Sequence, residues 1–385
     1  MNSSSPRPSR RTLPLTRLGL GPNAAETGSA AEALPAELRS SADREVRVGP
    51  FMPLVPVLAQ AGVPLAEVLA AAGVPAGLFS SAEDRVSDEG LCRVFAIAAE
   101  RLGMPHVGLV VGRHRPTPDL GAVGELGSLC ATVGAALRTL ISHLHLNNRA
   151  GVPVMLEYGP GNVILGYSIY RLMKAPTRQV LDVAVTTTFA LVEHMCGPAW
   201  RPVEVRFAYD EPEDLRPYQE VFGCRVRFNA ELTGVVFPAA LLALPLPRAN
   251  AERHAQLEAQ IRAARSRSGM SFAEQVRAVL PQAILGGASA EAEVAEVFAM
   301  HERTLRRRLL AEGAHFHDLL AGARRELAMQ LLANTRLGVG DIARALGYAD
   351  PNVFSRAFRG WAGVSPTIWR EGQVTVSPPA SVAGS

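Results

Sequence analysis

Apolar residues recur every three to four positions along most of this chain, and every second position over a shorter central stretch. The longer spacing runs through PLVPVLAQAG (53–62), PLAEVLAAAG (64–73), EGLCRVFAIAAERLG (89–103) and TVGAALRTLISHLHL (132–146), punctuated by Gly and Pro, and predicts helices. In VPVMLEYGPGNVILGYSIY (152–170) the pattern becomes strand-like on both sides of a turn at Gly159–Asn162, which predicts a hairpin. VEVRFAYD (203–210) alternates as a strand does, RVRFNAELTGVVFP (225–238) predicts two more short strands, and a helix over Thr177–Met195 lies between. The region 48–247 therefore reads as one α+β domain.

From Ala290 to Arg370 a different pattern appears twice: a short helix, a turn, and a second helix with one apolar and one polar face. In AEAEVAEVFAMHERTLRRRL the supporting helix starts at Ser289 or Ala290 and buries Val294, Val297 and Phe298, and a turn over Ala299–His301 leads into a helix over Glu302–Leu309. At about 100° per residue, Leu305 and Leu309 share one side while Arg303, Arg306 and Arg307 share the other. In DIARALGYADPNVFSRAFRGW the supporting helix stops at Gly347. Asp350 then caps a helix that has Pro351 at its first position. Phe354, Ala357, Phe358 and Trp361 face one way, Asn352, Arg356 and Arg359 the other, with Ser355 at the flank.

Arg grips guanine O6 and N7 with two hydrogen bonds and Asn does the same for adenine N6 and N7, so both outward wedges carry residue types suited to the major groove. Between the copies, FHDLLAGARRELAMQLL spaces Phe316, Leu319, Leu320, Ala323, Leu327 and Leu331 as one amphipathic helix, roughly 27 Å long. That length approaches the roughly 34 Å of one DNA turn and predicts a bipartite site read by one subunit. The fold class expected is an α+β N-terminal sensor domain followed by an all-α C-terminal domain with two helix-turn-helix motifs joined by a long helix.

The ordered run RTLRRRL, RRELAMQLL, DIARALGYADPNVFSRAF and GVSPTIWR resembles the DNA-binding module of the arabinose-regulator (AraC/XylS) family of transcription factors. With a preceding helix over Ser271–Ile284 the resemblance covers about a hundred residues. It implies base contacts by Arg303, Arg306 and Arg307 in the first copy and by Asn352 and Arg356 in the second. The full set expected at DNA adds Thr304, Ser355 and Arg359, with Arg308 at the side of the wedge facing phosphate. Where the family has Gly in the first turn and Ser or Thr as cap, this chain has Ala299 and His301, which implies a less ideal turn and a cap weaker by about 0.5–2 kcal/mol.

The stretch from Pro202 to ALPLP is similar, more loosely, to the N-terminal domain of the branch that includes an ornithine-utilisation regulator. The matching residues, among them Phe207, Pro212, Tyr218, Phe222, Gly223 and Phe228, look like packing and turn positions. The resemblance implies a domain that senses a small molecule and dimerises, and RNA polymerase as a partner.

Composition changes this picture in few places. The 385 residues are 48% hydrophobic, enough for two packed domains. Net charge is only +3, and Ser289–Glu371 holds 11 Arg against 10 acidic residues, so a DNA-binding reading rests on where the arginines point and not on bulk charge. Lys174 is the sole lysine, a bias that reads as GC-rich coding.

The organisation expected is a flexible leader over 1–47, a sensor and dimerisation domain over 48–247, a linker over 248–270, the DNA-binding domain over 271–372 and a flexible tail over 373–385. In the linker, Leu257 and Ile261 offer too little for a coiled coil, though they allow a small dimer contact. SRRTLPL in the leader is not followed by the apolar core of an export signal, and no run approaches the roughly 20 apolar residues of a membrane span, so a cytoplasmic, membrane-free protein is expected.

Chemistry finds little support in the sequence. His143 and His145 are two apart on a helix and make a poor metal pair, and His194 and Cys196 lack a partner motif. Cys92, Cys130, Cys196 and Cys224 lack CxxC spacing and read as buried reduced thiols. The acidic stretch DEPEDLRPYQE reads as a solvated helix start, with binding of a cationic effector such as an amino acid as the alternative. No catalytic, cofactor or metal site is expected, and the effector residues stay unknown. The leading reading is an effector-responsive, sequence-specific DNA-binding regulator, and the family resemblance implies an activator. An effector-independent DNA-binding scaffold is the alternative, followed by a DNA-tethered enzyme, for which the sequence shows neither a nucleophile elbow nor a cysteine cluster.

Overall fold

A computed structural model describes residues 45–114, 120–147, 151–169, 177–266, 271–285 and 289–374. The export-signal reading of the leader, Lys174, Gly269 and the tail from 375 onward lie outside the described residues.

Strand β1 (Glu45–Arg47) leads into two short helices, α1 (Leu54–Gln60) and α2 (Leu65–Ala72), and pairs antiparallel with β2 (Arg85–Ser87). The first described strand thus lies inside the stretch assigned to the leader. Arg47 is buried there, its guanidinium paired with Glu83 at 2.6 Å. Helix α3 (Asp88–Leu102) follows, capped by the Ser87 hydroxyl and stopped by Gly103 in the left-handed region. Then come α4 (Val107–Arg113), α5 (Gly121–Ser128) and α6 (Val133–His143), the last running into a 3-10 turn over Leu144–Leu146.

The predicted hairpin is β3 (Gly151–Glu157) and β4 (Asn162–Ile169), turning through Gly159 and Gly161, both at positive φ. Helix α7 (Arg178–Cys196) precedes β5 (Glu204–Arg206), α8 (Arg216–Phe222), β6 (Arg225–Arg227) and β7 (Thr233–Pro238). The five strands form one sheet in the order β3-β4-β7-β5-β6, with β5 and β6 parallel and every other pair antiparallel.

Because side chains alternate along a strand, the two faces of this sheet separate cleanly. Val163, Leu165, Val205, Val235 and Phe237 face a core with α6 and α7 in which Phe207, Tyr218, Phe222 and Phe228 cluster, Phe207 and Phe228 stacked at 5.5 Å. Those four aromatics carried the looser of the two family resemblances, and they serve packing. Val154, Ile164 and Val236 face the other way and pack with Phe272, Val276 and Leu280 of the C-terminal part. The sheet is buried on both sides, the second time by the DNA-binding module itself.

Helix α7, extended through Ala199, is long and apolar enough to cross a membrane, against the expectation from sequence, but more than half of it is buried inside the domain. It carries a fully buried carboxylate, Asp182.

Helix α9 (Ala251–Ser266) corrects two expectations. Ala251–Ser266 of the region assigned as a linker is a docked helix, and Leu257 and Ile261, offered as a dimer contact, are each 2% exposed against Leu126 and Leu129 at the end of α5. The physical reason is local: Leu126 and Leu129 form an apolar strip on α5, and two large residues one turn apart on α9 are enough to cover it.

The C-terminal part is all helical: α10 (Phe272–Leu285), α11 (Ala290–Val297), α12 (Glu302–Ala311), α13 (Phe316–Asn334), α14 (Val339–Ala345), α15 (Pro351–Ala362) and α16 (Pro366–Val374). Ser271 and Glu274 cap α10 reciprocally, each accepting the other's backbone N–H. Arg336 N–H donates to the Glu231 carbonyl at 2.7 Å, a second tie between the module and the sheet domain.

Candidate nucleic-acid interface

Each of the two predicted reading helices shows the expected split. On α12, Leu305 and Leu309 are fully buried while Arg303, Arg306, Arg307 and Arg308 are exposed and Thr304 is half-buried. On α15, Phe354 and Phe358 are fully buried and Asn352, Arg356 and Arg359 are exposed. Ser355 is half-buried and donates its hydroxyl to the Pro351 carbonyl at 2.9 Å, so its hydrogen already serves the helix. Between them α13 runs for 19 residues, roughly 28 Å at 1.5 Å per residue.

The entries to the two helices differ. Asp350 caps α15 by accepting the Asn352 N–H at 2.8 Å, with Pro351 at the first position. At α12 the cap is His301, whose Nδ1 accepts the Arg303 N–H at 3.2 Å, so histidine replaces the usual hydroxyl. The turn before it is where the departure costs energy: Ala299 sits at φ +50°, the left-handed region that a side chain disfavours. We expect Ala299→Gly to raise the stability of the C-terminal part by roughly 1 kcal/mol, the size of the left-handed penalty. The midpoint of urea unfolding checks this, and an unchanged or lowered midpoint contradicts it.

Two arginines have partners that the helix projection alone did not show. Arg306 faces outward, but its guanidinium forms a two-point pair with Glu291 of α11, Nη2 to Oε2 at 2.7 Å, with Glu302 3.9 Å away. Arg308, expected at phosphate, lies over the Phe272 ring at 4.1 Å. One turn on, the Glu312 carboxylate accepts the Phe272 and Ala273 N–H groups at 2.9 Å each. Together Arg308 and Glu312 fasten α12 to the start of α10. Arg303, Arg307, Asn352, Arg356 and Arg359 keep their polar ends at the surface.

A cleft of about 870 Å³ between α12 and α13 is lined by Arg303, Arg306, Arg307, His315, His317 and Arg324. His315 is the N-cap residue of α13 and His317 lies in its first turn on the exposed side, so neither falls on the apolar repeat that the sequence made legible. Arg324 also serves structure: its Nε donates to the Leu346 carbonyl at 3.1 Å and its guanidinium lies 5.0 Å from the Tyr348 ring centre. Arg370, within the GVSPTIWR motif, donates to the Leu332 and Leu337 carbonyls at 3.2 and 2.7 Å, and so closes the end of α13. That role was not legible without its acceptors.

Away from this surface, the residues with chemical potential are held in structural roles. Burial pushes the Cys92 thiol up to about 12, the Cys196 and Cys224 thiols to about 11, and the Cys130 thiol upward as well. All four are therefore protonated at neutral pH, although Cys224 is only half-buried. The His143 Nδ1 lies 2.9 Å from the Thr139 carbonyl, and no group of three or more metal-ligating side chains occurs among the described residues.

Residues 62–246 match the family described as the arabinose-binding domain of AraC transcription regulator, N-terminal, and residues 294–372 match a helix-turn-helix domain family. Over 286 residues the chain is 28% identical to the HTH-type transcriptional regulator VirS of Mycobacterium tuberculosis, covering 73% of this chain and 83% of that one. It is 26% identical to the ornithine utilization regulator of Pseudomonas aeruginosa, covering 83% and 94%. Among solved structures, transcriptional regulator CdpR from Pseudomonas aeruginosa aligns over 83% of this chain and 97% of its own, with 23% identity and a TM-score of 0.44.

Proposed function

Since the chain belongs to the AraC family of DNA-binding transcription regulators, with an arabinose-binding-type domain ahead of a helix-turn-helix domain, we propose that it is an effector-responsive activator that reads a bipartite promoter site. The observation that carries this reading is the pair α12 and α15, each with its leucine or phenylalanine side buried and its arginine side exposed, held apart by one rigid helix. A separation of roughly 28 Å suits two successive major grooves on one side of the duplex.

In this reading Arg303, Thr304, Arg306 and Arg307 approach bases from α12, and Asn352, Ser355 and Arg356 from α15, while Arg359 meets phosphate. The basic cleft beside α12, with His315 and His317, suits a neighbouring phosphate run. Arg308 contributes by holding α12 against α10. Arg306 trades Glu291 for DNA on binding. The exchange is favourable because an exposed ion pair is worth about 0.2–1 kcal/mol, whereas a two-point guanine contact is worth about 1–3 kcal/mol of discrimination. The proposal includes a homodimer acting in the cytoplasm with RNA polymerase as partner, supported by the family and by the exposed reading faces.

The test is selection of random-sequence duplexes by the purified protein at a stated salt concentration, because phosphate contacts make affinity salt-dependent. Two enriched blocks about one helical turn apart are expected, and enrichment of a single block would contradict a two-headed reader. On the selected site, Arg356→Ala is expected to cost about 1–3 kcal/mol and relax one base pair, and Arg306→Ala to cost less, since Glu291 is released. Titrations on selected and scrambled duplexes measure both. Equal losses on the two duplexes would remove Arg356 from base reading.

A further inference from the structure

The sensor domain holds a half-open cavity of about 130 Å³ between α6, α7, the sheet and the turn after β1. Its wall is mostly aliphatic, with Leu137, Leu140, Ile141, Leu144, Leu165 and Leu191 contributing. Among the described residues that line it Arg47 is the one charged residue, and its charge is already met by Glu83. Thr187 of α7 also lines the space, is only 8% exposed, and its Oγ has no hydrogen-bond partner. A helical threonine normally bonds back to the preceding turn, and a buried polar atom left alone costs about 1–3 kcal/mol. The Oγ itself is shielded, so it meets a polar atom from outside the chain only once the Thr187 side chain turns towards the space.

We propose that this cavity is the effector site and that it takes a small, uncharged, largely apolar molecule of single-ring or short-chain size, with one hydrogen-bonding group for Thr187. The inference rests on the effector-responsive reading above. Size and chemistry both select this class. An engineered apolar cavity of about 150 Å³ holds benzene, so the volume suits roughly one ring. A pentose such as arabinose brings a hydroxyl on nearly every carbon, and most of these would be stranded on aliphatic wall. An amino acid such as ornithine brings charges for which the described part of the wall has no free partner.

The same wall reaches the DNA-binding module. Helix α6 and the 3-10 turn after it also pack against α10. A ligand that orders α6 thus bears directly on the first helix of the reader, which is the differential contact that a shift between two arrangements needs.

The test uses the full-length protein and the change in thermal midpoint with benzyl alcohol, L-arabinose and L-ornithine at equal concentration, because a ligand bound only to the folded state raises its stability. Benzyl alcohol is expected to raise the midpoint of the unmodified protein and the other two are not. Ala184→Leu, which fills the cavity from α7, is expected to abolish the response. Thr187→Val, which keeps shape and removes the hydroxyl, is expected to weaken benzyl alcohol about 3- to 10-fold and serves if Ala184→Leu does not fold. No response to benzyl alcohol, or one that survives both substitutions, overturns the assignment. Stabilisation by arabinose or ornithine that ignores Ala184→Leu overturns it too, while leaving effector response intact. Benzyl alcohol binding that Ala184→Leu abolishes, yet that leaves affinity for the selected duplex unchanged, upholds the ligand class and overturns the effector-responsive reading.

Discussion

Phe358→Ala is expected to lower the stability of the C-terminal part by about 3–5 kcal/mol and to remove sequence-specific DNA binding, the range found when a buried phenylalanine is truncated in a core that cannot close the gap. The ring is fully buried. It touches Phe354, Trp361 and Trp369, with ring centres 5.9, 6.3 and 6.0 Å away, so it is the common neighbour of three aromatics from α15 and α16. Its loss frees α15 from α16 and turns Asn352 and Arg356 loose together. Urea unfolding followed by tryptophan fluorescence, alongside binding to the selected duplex, measures both effects. A cooperative transition at the unmodified midpoint would show that the aromatic cluster does not hold the second reading helix.

Asp182 governs an effect of similar size in the sensor domain. Its carboxyl is fully buried on α7 and accepts hydrogen bonds from the Tyr209 and Tyr218 hydroxyls, the latter at 3.2 Å, while Arg178 donates to Tyr218 at 3.0 Å. Burial outweighs these favourable contacts and pushes the carboxyl up from 3.8 to about 7. A raised acid keeps its proton in the folded chain over a range where the unfolded chain has lost it. The associated stability is complete below about 4 and is lost as pH rises through about 7. Between those limits the unmodified protein should lose up to about 1.4 kcal/mol per pH unit relative to Asp182→Asn, which has no proton to lose. Asp182→Ala, which removes the acceptor shared by the Tyr209 and Tyr218 hydroxyls, should cost about 1–3 kcal/mol. Thermal melts of the three proteins from pH 4 to 8 decide the matter, and parallel pH profiles for the unmodified protein and Asp182→Asn would mean that the carboxyl ionises normally.

The reading helices were the most legible part of the chain because their signals are short-range. Leu305 and Leu309, or Phe354 and Phe358, mark a buried stripe within one or two turns, and the Asp350-Pro351 start is a local capping choice that the structure keeps. Helices α4 and α5 were missed for an equally local reason. VGLVVGR and GAVGELGS are rich in glycine and weak in helix propensity, and the first resembles a buried strand. What makes α4 a helix lies some seventy residues away: a Cβ on Gly108 would fall 2.2 Å from the Gln179 carbonyl, so the glycines exist to let α4 lie directly on α7. The three-residue strands β1 and β2 carry too few positions for any period to show.

By itself the sequence determined which residues are helix or strand where the period is long enough to count. It also determined that two helix-turn-helix units carry outward arginines, and the family to which that ordered run belongs. Those properties follow from the backbone repeat, which places residues three or four apart on one side of a helix and two apart on one side of a strand. Only the tertiary structure decided which outward arginines already have partners, as with Arg306 on Glu291 and Arg308 on Phe272. It alone decided that α9 docks instead of linking, and that the second face of the sheet is covered by α10 and α13. In NVILGY and TGVVFP both faces are apolar, which states that two partners exist and not which they are. Burial free energy is non-directional and scales with area, so the choice of partner is fixed by which surfaces the whole chain can bring together at once.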